Sequence, residues 1–296
     1  MGVTCSLCAR GDEMPIVQPR GTAEHNEDSQ TLTSHDDIDK DLVKPCGHQV
    51  DCTADLTNPK VEQVIACAAG KLGGRLTHYQ KEWCSPEVIQ VYLRGRNGNI
   101  EAAAELVSRA LEWRDLKKDL LTGCRVPNWQ GDMRVLAQGI HGQPLLYASN
   151  RFQNKPYQVN DMVEHAAVVL ERAVSMMPTR TQKLDAVFDL YHFKLWHNLD
   201  PRGTLGAAQL LKHVYRDVLR TVLLVDAPPG LSTLWSWVKP ALPESTQRKV
   251  VFVSSDKAVQ KIQELQGPKA ATKLHEVMEA NRSIGPGAIP CLPCEL

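Results

Sequence analysis

The sequence has few of the features that identify several large classes of protein. Aromatic residues make up only 5% of its 296 residues, and its acidic and basic side chains balance to a formal net charge of +0. A protein without a net positive charge or a concentrated basic segment does not have the pattern of a nucleic-acid-binding protein. No apolar run approaches the ~18 residues that a membrane-spanning helix requires, and no G-x-x-x-x-G-K-[ST] phosphate loop is present. We therefore expect neither a membrane-spanning protein nor a nucleotide hydrolase.

A complete hydrolase motif is also absent. Residues 230–234 read G-L-S-T-L at a predicted strand-to-helix turn, where a nucleophile elbow would place its serine. That elbow requires a second glycine at the fifth position, and Leu234 stands there instead. His275 lies downstream, but no aspartate-then-histidine order completes a triad. We expect no enzymatic activity, no catalytic residue and no cofactor.

The N-terminus carries an acylation pattern. Residues 1–6, M-G-V-T-C-S, fit M-G-x-x-x-[ST], the pattern for myristoylation of Gly2. One myristoyl chain gives only reversible membrane binding, so palmitoylation of Cys5 and Cys8 would make the anchor stable. Nine cysteines without a signal peptide indicate reduced thiols. We expect a lipid-anchored protein at the cytoplasmic face of a membrane, with a soluble cytoplasmic pool.

Two other interpretations of this terminus stay open. The first six residues could remain unmodified, because short patterns recur by chance. A zinc site could instead combine the two N-terminal cysteines with three further residues, which are Cys46, His48 and Cys52. Those spacings are looser than the spacings of structural zinc sites, so we expect no metal.

Composition divides the chain near residue 58. Residues 1–60 hold 11 acidic and 5 basic side chains, a net charge of 5 − 11 = −6, and almost no aromatics. Such a segment cannot bury enough apolar surface to offset its ordering entropy, so residues 1–58 are predicted to be a disordered acidic linker. Helical periodicity then begins at Val61 and continues through a helix starting at Pro86 and another over 101–117, which predicts a small helical lobe.

The second half of the sequence predicts an α/β sheet. Two apolar segments, 133–137 and 145–148, flank a polar turn and are typical of a hairpin. Three further strands are predicted at 184–190, 221–225 and 250–253, and helices at 159–177, 204–219 and 256–265 separate or follow them. Residues 220–253 form a βαβ unit that consists of a strand, a proline-rich break, an apolar helix and another strand. Such a unit implies that its two strands lie parallel in one sheet.

Four segments of the sequence together carry a resemblance to a known family. They are LRGRNGNIEAAAELVSRALEWR at 93–114, VLAQGIHGQPLLYAS at 135–149, V-F-D-L at 187–190 and the βαβ segment at 223–253. In this order they resemble the CRAL-TRIO family of lipid-binding and lipid-transfer proteins. The first is similar to the helical module that precedes the family's domain, the second to its hairpin and the third to one of its strands. The fourth is similar to its strand, N-A-P-type turn, helix with Lys-Pro and following strand. The resemblance covers roughly residues 85–265.

The resemblance implies a sheet-floored hydrophobic cavity closed by helices. It divides the chain into an acylated linker at 1–58, a helical lobe at 59–125, a lipid-binding domain at 126–266 and a divergent tail at 267–296. Relatives follow the last helix with a short strand, whereas this chain has a helix-like run over 270–280. The implied partners are a membrane surface and a single phospholipid or other hydrophobic ligand.

Specific residues can be carried over from the family. The head-group residues implied by the resemblance are Arg96, Asp217, Thr246 and Lys249, a set that suits a phosphate. The family's gate and cavity region corresponds to the apolar helix and the residue after it, which are Leu231, Leu234, Trp235, Trp237, Val238 and Lys239. A solvated surface charge or a plain core helix is the alternative for each set.

Two departures bear on the ligand. Asn97 replaces a lysine of the family's basic motif, and the hydroxyl residues that hold choline in some relatives correspond to Leu184 and Ala186. A phosphoinositide or another glycerophospholipid is therefore expected, and a sterol-like ligand stays open. The rival to lipid transfer is a membrane-tethered adaptor that senses phosphoinositides without transferring them.

Overall fold

The structure is a computed structural model that describes residues 58–129, 131–152, 158–179, 182–194, 198, 200–241 and 244–285. The expected linker, the acylation sites and the alternative zinc ligands lie outside these residues. Within the described ranges, no helix combines the length and the apolar character needed to cross a membrane.

Five helices form the N-terminal lobe, and polar caps set where most of them begin. They are α1 (Pro59–Lys71), α2 (His78–Trp83), α3 (Pro86–Arg94), α4 (Ile100–Leu116) and α5 (Lys118–Leu121). The periodicity did not predict α2, whose start is fixed by a capping box in which the Thr77 side chain accepts from the Gln80 backbone N–H and the Gln80 side chain accepts from Thr77. The lobe core is apolar, with Val64, Ile89 and Leu111 fully buried.

A five-stranded sheet follows, with its strands side by side in chain order. The strands are β1 (Asp132–Gln138), β2 (Pro144–Ser149), β3 (Leu184–Asp189), β4 (Leu219–Val225) and β5 (Val250–Val253). β1 and β2 form the predicted antiparallel hairpin, and every later neighbour is parallel. The predicted strand positions and the α/β fold are confirmed.

Helices lie on both faces of the sheet. On one face are α6 (Val159–Ser175) and α7 (Pro201–His213), and α8 (Leu231–Val238) and the short α9 (Glu244–Gln247) connect β4 to β5. On the other face are α10 (Ser255–Gln266) and α11 (Pro268–Ser283). A helix was predicted to continue to 219, but α7 ends at His213 because residues 214–218 form a turn in which Asp217 adopts φ +55°.

Ion pairs fasten the lobe to the sheet domain at α6. Glu164 of α6 accepts from Lys117 Nζ at 2.9 Å and from Arg125 Nη1 at 2.6 Å. The Arg125 guanidinium, joined by the Lys117 ammonium, outweighs the effect of burial and lowers the pKa of Glu164 from 4.5 to about 2. Folding therefore holds this carboxylate ionised well below its ordinary titration range.

Because of these ion pairs, we expect Glu164 to contribute to the free energy of unfolding in a way that is lost in acid. A lowered folded-state pKa adds stability that is complete above about pH 4.5 and is lost as the pH falls toward 2. Because water screens part of the interaction, we expect the contribution to be about 1 kcal/mol. Urea unfolding at pH 6 and pH 3 should show a smaller loss of unfolding free energy in Glu164→Gln than in the unchanged protein. Equal losses in the two proteins would assign the acid sensitivity to other carboxylates.

Candidate functional site

A cluster of charged side chains lies where three parallel strands begin. Lys183 directly precedes β3, Lys249 directly precedes β5, and Asp217 lies two residues before β4. The Lys183 Nζ donates to Asp217 Oδ2 at 2.9 Å, and the Lys249 Nζ donates to Asp217 Oδ1 at 3.0 Å. We call these three residues the amino-edge cluster. Two ammonium groups sharing one carboxylate leave it with a net charge of +1.

Electrostatics keep this cluster charged. Burial opposes ionisation of Asp217, but the hydrogen bonds from Lys183 and Lys249 outweigh it and hold the pKa of Asp217 below its usual range. Lys249 Nζ also donates to the Leu219 carbonyl at 2.5 Å. Its ammonium is thus oriented by two acceptors, one in the first residue of the neighbouring strand and one just before that strand, and it can bind an anion without first being ordered.

Two arginines lie beside this edge. The Arg216 guanidinium lies over the Tyr92 ring at 5.7 Å and donates from Nη1 to the Lys212 carbonyl at 2.9 Å. Its Nη2 lies so close to Gly95 that a Cβ there would meet it at 2.6 Å. Burial lowers the pKa of Arg216 most, and the charge of Arg96 adds to that effect. Arg96 itself is exposed, next to Gly95 in sequence.

An apolar strip continues from the amino-edge cluster toward α8. Val250 and Phe252 project from the same face of edge strand β5, where their register partners are Val222 and Leu224. The strip combines four partly buried side chains with one exposed side chain, and its members are Leu211, Val218, Leu224, Val250 and Phe252. Phe252 remains 45% exposed. The seven-residue β4 beside it is about 20 Å long, so the strip joins two well-separated ends of the sheet.

The strip ends at α8, where the side chains divide into buried and exposed groups. Leu231 is buried against Leu190 and Phe193, so it fixes the start of the helix. Trp235 is half-buried and meets Phe252 edge-on, with ring centroids 6.5 Å apart. Trp237 is 62% exposed. A helix with one apolar side chain in the core and another in water can contact both a ligand and a membrane.

Some of the predicted site residues are not placed by the structure. Thr246 lies in α9, but its side chain is outside the described part, as are the side chains of Leu234 and Val238. Lys239 is exposed in the 3₁₀ turn after α8. Asp217 and Lys249 meet directly, whereas Arg96 is near enough to Arg216 for its charge to act on it.

The two positions that the resemblance aligns with choline-binding hydroxyl residues lie in the core. Leu184 is fully buried and Ala186 is 2% exposed, both in the core that α6 covers. Two residues at the amino edge were missed, namely Lys183 and Arg216. A lysine directly before a predicted strand was the available signal for Lys183, but the sequence alone did not reveal that it reaches the same carboxylate as Lys249.

Comparisons with known proteins agree with the fold. The CRAL/TRIO domain matches residues 131–272. A relative from Saccharomyces cerevisiae, Phosphatidylinositol transfer protein PDR17, is 24% identical over 192 residues, which are 60% of this chain and 55% of the relative. The chain thus spans little more than half of that protein. A solved structure, that of Sfh5, aligns with a TM-score of 0.55 at 14% identity over 69% of this chain and 84% of its own, which supports the fold.

Proposed function

Because residues 131–272 of this chain belong to the CRAL/TRIO domain family, we propose that the protein binds a single phospholipid and transfers it between membranes or presents it at one. The observation that carries this proposal is the apolar strip, which runs from Lys249 at the amino edge to Trp235 on α8. A lipid lying along it has its phosphate at the cationic end and its acyl chains beneath an apolar helix.

The two ends of the strip suit the two ends of a phospholipid. Burial of acyl chains against Phe252 and Leu224 is favourable by about 25 cal/mol for each Å² of apolar surface removed from water. At the other end, the lysines can donate charge-assisted hydrogen bonds to a phosphodiester. Asp217 can accept from the hydroxyls of a polyol head group. An inositol phospholipid therefore suits the edge better than a choline lipid, whose cationic head group would meet two ammonium groups.

The decisive experiment identifies the lipid and then follows its movement. The full chain, purified from a lipid-rich host, would be extracted with organic solvent, and the extract analysed by mass spectrometry. Transfer of pyrene-labelled phosphatidylinositol between vesicles would then be measured. We expect one phospholipid per protein, with inositol lipids enriched over the host pool. No bound lipid and no transfer would contradict the proposal, and binding without transfer would favour a phosphoinositide-sensing adaptor.

We further propose that N-terminal acylation holds the protein at a cytoplasmic membrane face. The support is the sequence pattern at Gly2 together with Cys5 and Cys8. Stable anchoring takes two lipid signals, so loss of either acceptor should leave an exchangeable, partly soluble protein.

Removing the myristoylation acceptor should release the protein from membranes. Gly2→Ala is expected to abolish incorporation of a myristate analogue and to move most of the protein to the soluble fraction, while Gly11→Ala, in the same stretch, should change neither. Cell fractionation with metabolic labelling measures both quantities. If Gly2→Ala stayed fully membrane-bound, acylation would not be the anchor.

A further inference from the structure

The turn that leads from β4 into α8 is held by a residue far along the chain. Arg282, in the last turn of α11, donates from Nη2 to Asp226 Oδ2 at 2.8 Å and to Asp189 Oδ1 at 3.1 Å. Asp189 is the last residue of β3, and Asp226 directly follows β4. One guanidinium therefore joins the carboxyl ends of two adjacent parallel strands.

This guanidinium is itself firmly positioned. Its side chain is 16% exposed and lies over the Tyr191 ring at 4.7 Å. The preceding residue, Asn281, is buried and donates to Asp132 Oδ2 at 2.7 Å and to the Tyr147 hydroxyl at 3.0 Å. The last turn of α11 is thus tied to three strands, so Arg282 cannot follow Asp226 if that residue moves.

Asp226 is the point at which the chain turns toward α8. It adopts φ +48°, a left-handed conformation that aspartate tolerates better than most residues. Its Oδ1 accepts from the Ser255 backbone N–H at 3.1 Å, and its own N–H donates to the Val253 carbonyl at 3.0 Å. Movement of α8 away from the strip would have to alter the backbone at or just after this residue.

We propose that Arg282 is a positioning residue for this turn, and that it restrains α8 and thereby slows the entry and exit of lipid along the apolar strip. This inference rests on the proposed function for its lipid part. Without the guanidinium, two carboxylates at neighbouring strand ends would face each other and repel. The repulsion would weaken the turn at Asp226 and let α8 open more often.

The test compares Arg282→Gln with Arg134→Gln. Arg134 is a matched control because its side chain is 15% exposed, it pairs with Asp132 at 3.1 Å, and it lies in the same network but contacts no residue of the turn. Losing a charge-assisted hydrogen bond changes an equilibrium by roughly a factor of ten. We expect hydrogen exchange of the amides of 231–238 to rise about tenfold in Arg282→Gln and less than twofold in Arg134→Gln.

Lipid movement supplies the second readout. Transfer of pyrene-labelled phosphatidylinositol by the full chain should become about threefold to tenfold faster in Arg282→Gln, with the fraction of protein loaded at equilibrium within twofold. If both arginine variants raised exchange equally, Arg282 would only stabilise the fold, and if neither did, it would not restrain α8; either result would make the inference wrong. Faster exchange in a protein that neither binds nor transfers lipid would uphold the restraint on α8 and overturn the proposed function.

The variant Asp226→Asn shows whether Arg282 acts through Asp226 or through Asp189, the two carboxylates that it contacts. Asparagine keeps the Oδ1 acceptor for Ser255 and tolerates the left-handed conformation, but it removes the charge. Adding Arg282→Gln to Asp226→Asn should raise amide exchange of 231–238 less than twofold, because little repulsion remains to be released. A full tenfold rise in this background would show that Arg282 acts through Asp189 and not through the turn.

Discussion

Replacing Lys183 and Lys249 together by glutamine is expected to lower the affinity for phosphatidylinositol by about 100-fold, because two charge-assisted hydrogen bonds to a phosphate contribute at least roughly 3 kcal/mol. Both ammonium groups already contact Asp217, so they lie at one point and can act on one anion. Binding of vesicle-embedded phosphatidylinositol, measured against phosphatidylcholine, gives the change in affinity for each lipid.

The control replaces two lysines on α11, which lies on the face of the sheet opposite to the apolar strip. Lys269→Gln with Lys273→Gln changes two exposed lysines of α11 and should leave the affinity for phosphatidylinositol within twofold. If the amino-edge variant lost affinity for both lipids equally, the lysines would support the fold and not the head group. Asp217→Asn should have the opposite effect and strengthen phosphate binding, since it frees both ammonium groups.

Arg114→Met is expected to destabilise the protein by about 3 kcal/mol, since removing one partner of a buried ion pair leaves the other charge uncompensated. The Arg114 guanidinium is 4% exposed and forms a two-pronged contact with Glu171 on α6, at 2.8 Å and 2.6 Å. The Tyr215 hydroxyl donates to the same carboxylate at 2.9 Å. Loss of the guanidinium would leave the Glu171 carboxylate without these two hydrogen bonds at the lobe–sheet junction. The free energy of unfolding in urea measures this effect.

A second arginine on the same helix is the control. Arg109 pairs with Glu105 at 2.9 Å, but its side chain is 62% exposed. Exposed pairs of this kind contribute at most about 0.5 kcal/mol, so Arg109→Met should change stability little. Arg114→Met combined with Glu171→Leu should regain most of the lost stability, because no unpaired charge remains. If the double variant were no more stable than the single one, lost packing against Tyr79 and Trp83 would be the main cause.

The sequence predicted the sheet well because its strands are short apolar segments bounded by turn residues. The β5 strand, V-V-F-V, and β4 are of this kind. The sequence predicted the helices less exactly, since their ends depend on local contacts. Asp217 shows such a local contact, because its left-handed conformation lies in the turn that ends α7. Its pairing with two lysines forms only once the strands lie side by side, so no local pattern predicts it.

Long-range polar contacts were beyond the reach of pattern reasoning. Arg282 is 93 residues from Asp189 and 56 residues from Asp226 in sequence, and neither spacing has a periodic signature. Arg216 was missed for a similar reason, because its proximity to Arg96 depends on how α3 packs against the end of α7. The predicted site residues came from resemblance to a family, and such a resemblance cannot reveal contacts that this chain makes through its own α11.

The order of the strands has a consequence for synthesis. Because β1 to β5 are neighbours in chain order, each strand can pair with its predecessor as the polypeptide emerges, without waiting for later segments. The contacts of α11 come later, and those of Arg282 close loops of 93 and 56 residues onto strands already made. During translation, β4 and β5 can therefore be paired while the turn into α8 still lacks its contact with Arg282, and only the arrival of α11 supplies that contact.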